Sequence, residues 1–569
     1  MNSLKKSWWP TLTALSLAVV GTLAHADERE SLEAIRQTTI GLIDALVDKG
    51  VLSREAADGM LKQAQQRAAE VSTSSVASPA SAGKPVLRVP YVPESMKAQI
   101  RNEVKEEVLT QARAERWGVP NATPSWVDRI KIDGDFRFRF QSDRPGKDNT
   151  LPADYLAAEV NNNNGLSRAP DFASYAATQV NSVIPTASTV DNRDRERIRL
   201  RLGLSAKVAD EVGVGVRLAT GSATDRVSTN QTLGQNFNKY QLFVDRAFVR
   251  LDPAEWLTVQ AGRIPNPWFS TDMVWSENLN FDGLAATTRW APQGSDLTPF
   301  ATVGWFPLRE QTPPSRSSRW LVGAQLGTGW EVAARTKLKL GMAYYSYKNL
   351  EGRVDQNYDT GLNSSNQPVV VPRVNYGESE YPTGLRQKGN TVFETNPLFS
   401  PDIAPVWGLA YAFRPLVLTA SAELTHFSPY SLLLSAEYVK NTAFDAANFH
   451  SRAGSAYDNV NPAGKSTGYH LKLAFGAAEV REAGQWQLST SYRHIGSDAV
   501  LDAFTDSDLG LGGTNLQGYT LGGVYGLYRN TNLGMRYLSA KTIDTPLNAA
   551  YPNASYKVNS LQVDLNVRF

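Results

Sequence analysis

The chain has no cysteine, which excludes both a disulfide framework and a thiolate metal site. Histidine is scarce: His426, His450, His470 and His494 are scattered without a spacing that brings several onto one face, so no metal or other cofactor is expected. Long apolar runs are missing as well. Beyond Leu23 no stretch approaches the roughly 20 residues of a membrane helix, so insertion into a bilayer would have to be through strands. Charge of one sign is not in excess, since 58 basic and 56 acidic residues leave a formal net charge of +2, which argues against a nucleic-acid partner. There is no Gly-x-Ser-x-Gly elbow and no phosphate-cradling glycine loop, and the chain is not expected to be an enzyme.

What is abundant is glycine (42 residues) and aromatic side chains, 13 Trp, 22 Tyr and 20 Phe, which suits tight turns, close strand packing and interfacial belts. The last stretch, Tyr556 to Phe569, alternates Leu561, Val563, Leu565, Val567 and Phe569 with Gln562, Asp564, Asn566 and Arg568. This period of two describes a strand with one apolar and one wet face. Ile130 to Phe140 repeats the pattern, with Ile130, Ile132, Phe136, Phe138 and Phe140 against Lys131, Asp133, Asp135, Arg137 and Arg139. Ile198, Leu200, Leu202 and Leu204 likewise oppose Arg197, Arg199 and Arg201. A row of arginines makes little sense against a dry core, where each unpaired charge costs several kcal/mol. Lipid on one side and an aqueous lumen on the other explains both faces.

From residue 128 onward the periodicity predicts about sixteen antiparallel strands, an all-β transmembrane barrel with short turns on one side and longer loops on the other. Its least regular strand is Val406 to Thr425, interrupted at Arg414-Pro415. Closure would make Gln562, Asp564, Asn566 and Arg568 neighbours of Lys131, Asp133, Asp135 and Arg137.

The region before the barrel differs. Residues 1–26 carry Lys5 and Lys6, an apolar stretch and Ala24-His25-Ala26, the pattern of an export signal peptide. Residues 27–71 read as a helical hairpin, 72–93 as a Ser/Ala/Pro-rich linker and 94–127 as a charged helix with its linker, a small α-helical periplasmic segment before the barrel domain at 128–569. The hairpin could contact peptidoglycan or a neighbouring subunit.

After the fifth predicted strand comes Gly262-Arg263-Ile264-Pro265-Asn266-Pro267-Trp268, followed by FSTDMVWSENLNFDG to Gly283. Here the chain resembles the Gram-negative porins, in which a loop after the fifth strand, preceded by a Gly-Arg pair, folds into the lumen. With the hairpin stretch LVDKGVLSREAA it is similar to the proteobacterial putative porin family with an N-terminal extension. The resemblance implies an outer-membrane homotrimer, in contact with lipid and lipopolysaccharide, that passes small hydrophilic solutes by passive diffusion. It also implies a C-terminal assembly signal, Leu565, Val567 and Phe569, read by the barrel assembly machinery.

Arg137, Arg139, Arg197, Arg199, Arg201, Arg217 and Arg263 are the candidate pore-lining cations, and Asp272, Glu277 and Asp282 the candidate carboxylates of the inserted loop. Opposed acidic and basic walls would set a transverse field, and the arginine excess would favour anions. The alternative is an outer-membrane enzyme or adhesin that uses the barrel as a platform.

Overall fold

The computed structural model describes residues 129–149, 166–167, 189–311, 318–354, 358–372, 377–382, 384–395, 406–453, 464–544 and 555–569. The signal peptide, the helical hairpin, the linker and the charged helix expected at 1–127 lie outside the described residues.

The first strand, β1 (Ile130–Pro145), sets the character of the wall. Phe138 is 39% exposed and the adjacent Arg139 only 1%. Exposed apolar and buried charged side chains alternate on one strand, the reverse of a water-soluble sheet and the arrangement a lipid-facing wall requires. Fifteen further strands continue it: β2 (Arg193–Lys207), β3 (Val212–Ala219), β4 (Phe243–Ala254), β5 (Leu257–Pro265), β6 (Asn280–Arg289), β7 (Leu297–Arg309) and β8 (Arg319–Ala333). Then follow β9 (Thr336–Lys348), β10 (Pro415–Leu424), β11 (Ser431–Asn441), β12 (Thr467–Gly476), β13 (Trp486–Ile495), β14 (Leu516–Tyr528), β15 (Thr531–Thr542) and β16 (Lys557–Arg568). Each pairs antiparallel with the next, and β16 pairs with β1, so the sheet has no open edge. No helix among the described residues is long and apolar enough to cross a membrane.

Connections such as 208–211, 255–256, 334–335 and 529–530 are short, whereas those on the other side, including 220–242, 266–279, 349–414 and 496–515, are long. This asymmetry assigns the short turns and the end of β16 to the periplasmic side.

The expected strand Val406 to Thr425 is two elements. Trp407–Leu409 joins a small sheet with Val392–Glu394 and Leu166–Ser167, and only Pro415–Leu424 enters the barrel. The even count survives because the extra strand belongs to a loop.

The seam also differs from the simplest expectation. Arg568 opposes Asp135, Asn566 opposes Arg137, Asp564 opposes Arg139 and Gln562 opposes Gln141. The wall is polar, but it is displaced by four residues along β1. The displacement follows from where pairing ends: Gly134 and Phe569 exchange backbone hydrogen bonds of 2.8 and 3.0 Å, and residues 130–133 pair only with β2.

On the lipid face of that last pair the Phe569 ring lies across Gly134, where an added Cβ would meet it at 2.6 Å. Glycine at this position makes room for the aromatic. Valine there would overpack the seam, at a cost of about 1–3 kcal/mol. Gly134→Val and removal of Phe569 are both expected to lower the yield of heat-modifiable folded barrel on gels while leaving the conductance of assembled channels unchanged. Normal assembly of both variants would contradict a closing role for this contact.

Candidate functional site

The 266–279 connection between β5 and β6 crosses the lumen and is fixed on the far wall. Phe269 donates its N–H to Gln325 Oε1 on β8 and accepts from Gln325 Nε2, both at 2.8 Å. Thr271 donates its backbone N–H and its hydroxyl to the two oxygens of Glu437 on β11, at 2.8 and 2.6 Å. Asp272 pairs with Arg493 on β13 at 2.8 Å and lies 3.4 Å from His470 Nδ1 on β12.

The apolar side of the loop supplies the remaining hold. Trp268, Met273, Val274 and Trp275 are all buried, and Trp268 packs edge-on against Phe306 and Tyr345. Burial of such side chains is worth about 1.5–3 kcal/mol each. Gly323 on β8 allows it, because a Cβ there would sit 2.8 Å from the indole.

A second segment, the 496–515 connection, also enters the lumen. Its Phe504 carbonyl accepts from Ser276 N–H at 2.8 Å, and Asp506 N–H donates to the Asp272 carbonyl at 3.2 Å. The two loops thus form one partition. Burial works against ionisation of Asp272, but Arg493, His470 and Lys472 outweigh it and hold the carboxyl down at about 2. For Asp508 burial is likewise outweighed, by Arg139, Arg536 and Arg137, and the carboxyl stays well below its ordinary range. Asp506 behaves oppositely: burial, then the neighbouring Asp508 and Asp272, push it up to about 7.

On the periplasmic side of the partition lies a polar cavity of about 690 Å³ that reaches the 477–485 turn at Ala478, Glu479 and Val480. Arg137, Arg199, Arg201 and Arg217 all line it, with Asp272 and Glu277 from the inserted loop. Arg199 and Arg201 share Asp135, at 2.7 and 2.6 Å. Arg217 pairs with Asp245, and Arg137 donates to Asn230 with Asp564 3.9 Å away.

Other sequence candidates stand elsewhere. Arg139 is enclosed by Asp564 at 2.6 Å and Asp508 at 3.1 Å, and Arg197 donates to Gln141 at 3.2 Å; neither lines the cavity. Asp282 is not on the inserted loop, because β6 begins at Asn280. It faces Arg263 in register, pairs with it at 2.9 Å, and both border a separate cavity beyond the partition. Leu565, Val567 and Phe569 stand at the seam, with Leu565 and Phe569 exposed on the lipid face.

Sequence reasoning missed Arg246, Asp506, Asp508 and Arg536, all of which line the polar cavity. Arg536 was within reach of the same alternation, since Leu533, Met535 and Tyr537 flank it on the other parity. Arg246 was hidden by a register shift between Arg217 and Leu218 that leaves Asp245 as an extra residue, so that consecutive Asp245 and Arg246 both serve the lumen.

The sequence pattern of the Putative porin family matches residues 36–569. The chain belongs to that family. This porin is therefore a channel of the outer membrane that passes small hydrophilic solutes by passive diffusion. Among solved structures it is similar to Pseudomonas putida OprB, with 10% identity, a TM-score of 0.41, and coverage of 78% of this chain and 95% of that one. It is also similar to the outer membrane channel DcaP of Acinetobacter baumannii, with 10% identity, a TM-score of 0.38, and coverage of 77% and 97%. An anion-selective porin from Comamonas acidovorans gives 12% identity, a TM-score of 0.35, and coverage of 77% and 99%. No curated protein sequence matches the porin.

Because burial and the neighbouring Asp508 and Asp272 push the Asp506 carboxyl up to about 7, the porin is expected to gain negative charge in its lumen as the pH rises through neutrality. Its reversal potential in a salt gradient should therefore shift toward cations as the pH rises through neutrality, and Asp506→Asn should flatten that shift. An unchanged pH profile in that variant would assign the titration to another group.

Proposed function

We propose that the porin is biased toward anions and that the bias arises in the polar cavity beneath the partition. The observation that carries this reading is the lining itself: eight side chains are basic and six acidic, and the carboxyl of one of the six, Asp506, is pushed up by burial and by Asp508 and Asp272. Acid and base are also unevenly placed, although Asp564 on β16 and Glu479 in the 477–485 turn add carboxylates outside the inserted loops. Arg137, Arg199, Arg201, Arg217 and Arg246 come from four consecutive strands, while Asp272, Glu277, Asp506 and Asp508 come from the two inserted loops. A wall of cations facing a partition of carboxylates sets a field across the diffusion path, which orients polar solutes and concentrates counter-ions.

The finer parts of the proposal concern the envelope. We assign a homotrimeric assembly, contacts with lipopolysaccharide and with the barrel assembly machinery through the Leu565, Val567 and Phe569 face, and an N-terminal segment exported by a signal peptide that reaches a periplasmic or peptidoglycan partner. A channel needs no catalytic group, and we assign none.

Bilayer reversal potentials in a salt gradient test the bias. Arg246 is the informative residue, because it donates to Asn280 at 2.7 Å and has no ion-pair contact with a carboxylate among the described residues, so its removal leaves no carboxylate unpaired. Arg246→Gln should shift the reversal potential toward cations, and Arg199→Glu with Arg201→Glu should shift it further. Clear cation preference in the unmodified porin would overturn the proposal.

A further inference from the structure

The cavity beyond the partition differs in kind from the polar one. It measures about 280 Å³, and four arginines border it, Arg226, Arg263, Arg309 and Arg319, against one aspartate, Asp282. Only Arg263 is matched by that carboxylate, at 2.9 Å. Arg226 donates to the carbonyls of Gly384 and Leu385, at 3.1 and 2.9 Å. Arg319 is 2% exposed; it donates to the carbonyls of Glu378 and Glu380, at 2.6 and 2.7 Å, and its Nε has no hydrogen-bond partner among the described residues. Backbone carbonyls orient a guanidinium without cancelling its charge. Arg226, Arg309 and Arg319 therefore present positive charge with no carboxylate in ion-pair contact among the described residues.

The rest of the lining is mainly apolar and in part aromatic, with Trp275, Phe281, Phe306, Leu501 and Phe504 among its walls. An inorganic anion would satisfy the arginines and leave these walls facing water. A neutral aromatic would do the opposite. A flat apolar body carrying a carboxylate uses both, since guanidinium groups are weakly hydrated and match carboxylates in a fork geometry. The volume falls just below the usual range of ligand cavities, about 300–1,000 Å³, which limits the body to a single ring.

We infer that this cavity is a recognition site for single-ring aromatic carboxylates on their way into the pore. The inference rests on the porin reading, because the site lies on the diffusion path only if the barrel conducts. In single-channel records at constant potassium chloride, benzoate added to either chamber should interrupt the current in a saturable way. Acetate and inorganic phosphate at the same concentrations should not.

Arg309→Gln, an exposed position with no ion-pair partner among the described residues, should raise the half-saturating benzoate concentration by about tenfold, the equivalent of about 1.4 kcal/mol. Benzoate no more effective than acetate would overturn the inference while the open-channel current still upheld the porin reading. So would a benzoate response unchanged by Arg309→Gln, which would place the interaction elsewhere. Assembled barrels without any conductance would remove the porin reading and the site with it.

Discussion

A guanidinium held inside a protein needs water, a carboxylate or converging carbonyls beside it, and this requirement governs the barrel. Three pairs of arginines on β1 to β4 face each other directly across neighbouring strands: Arg137 with Arg199, Arg139 with Arg197, and Arg217 with Arg246. A fourth, Arg309 with Arg319, does so between β7 and β8. Like charges placed so are repulsive. An uncompensated buried charge would cost several kcal/mol, far more than one strand pair returns. Asp135 answers two of them by bridging Arg199 and Arg201, and Asp245 answers Arg217. Asp564 reaches Arg139 across the seam, so closing the barrel and neutralising its most buried arginine are the same event.

The inserted segments answer to the same constraint. Asp508 accepts from both Arg139 and Arg536, linking β1 and β15 through a loop that neither strand predicts. Asp272 neutralises Arg493 on the wall opposite to the β1–β4 arginines. The partition is thereby tied to both sides of the lumen, and its apolar face, with Trp275 against Tyr345 and Phe281, fills the space between. A charged passage below and an amphipathic vestibule beyond follow from one partition having two faces.

Much of this was legible in the sequence where the physics is local. Period two marked Phe138 for lipid and Arg139 for the interior, and it counted the strands, because each side chain on a barrel wall has only two directions to take. It failed where the regular period is broken or where a loop folds back. The extra residue Asp245 concealed Arg246; the interruption before Pro415 concealed a loop strand at Trp407–Leu409; and nothing in the composition of residues 496–515 signals that Asp506 and Asp508 turn inward. The inserted 266–279 loop was found by resemblance rather than by pattern, and its far end was set three residues too late, which carried Asp282 with it. Pairing partners such as Asp272 with Arg493 join residues more than two hundred positions apart, and no periodicity reports that.

The account turns on which side of the wall is wet. Because the chain has no cysteine, single cysteines can be placed at consecutive positions of β2 without background and exposed to a charged, membrane-impermeant thiol reagent. Arg199→Cys and Arg201→Cys should react in assembled barrels and alter the single-channel current, while Leu200→Cys and Leu202→Cys should remain unmodified. Equal reaction at all four positions, or reaction at 200 and 202 alone, would contradict an aqueous lumen lined by these arginines.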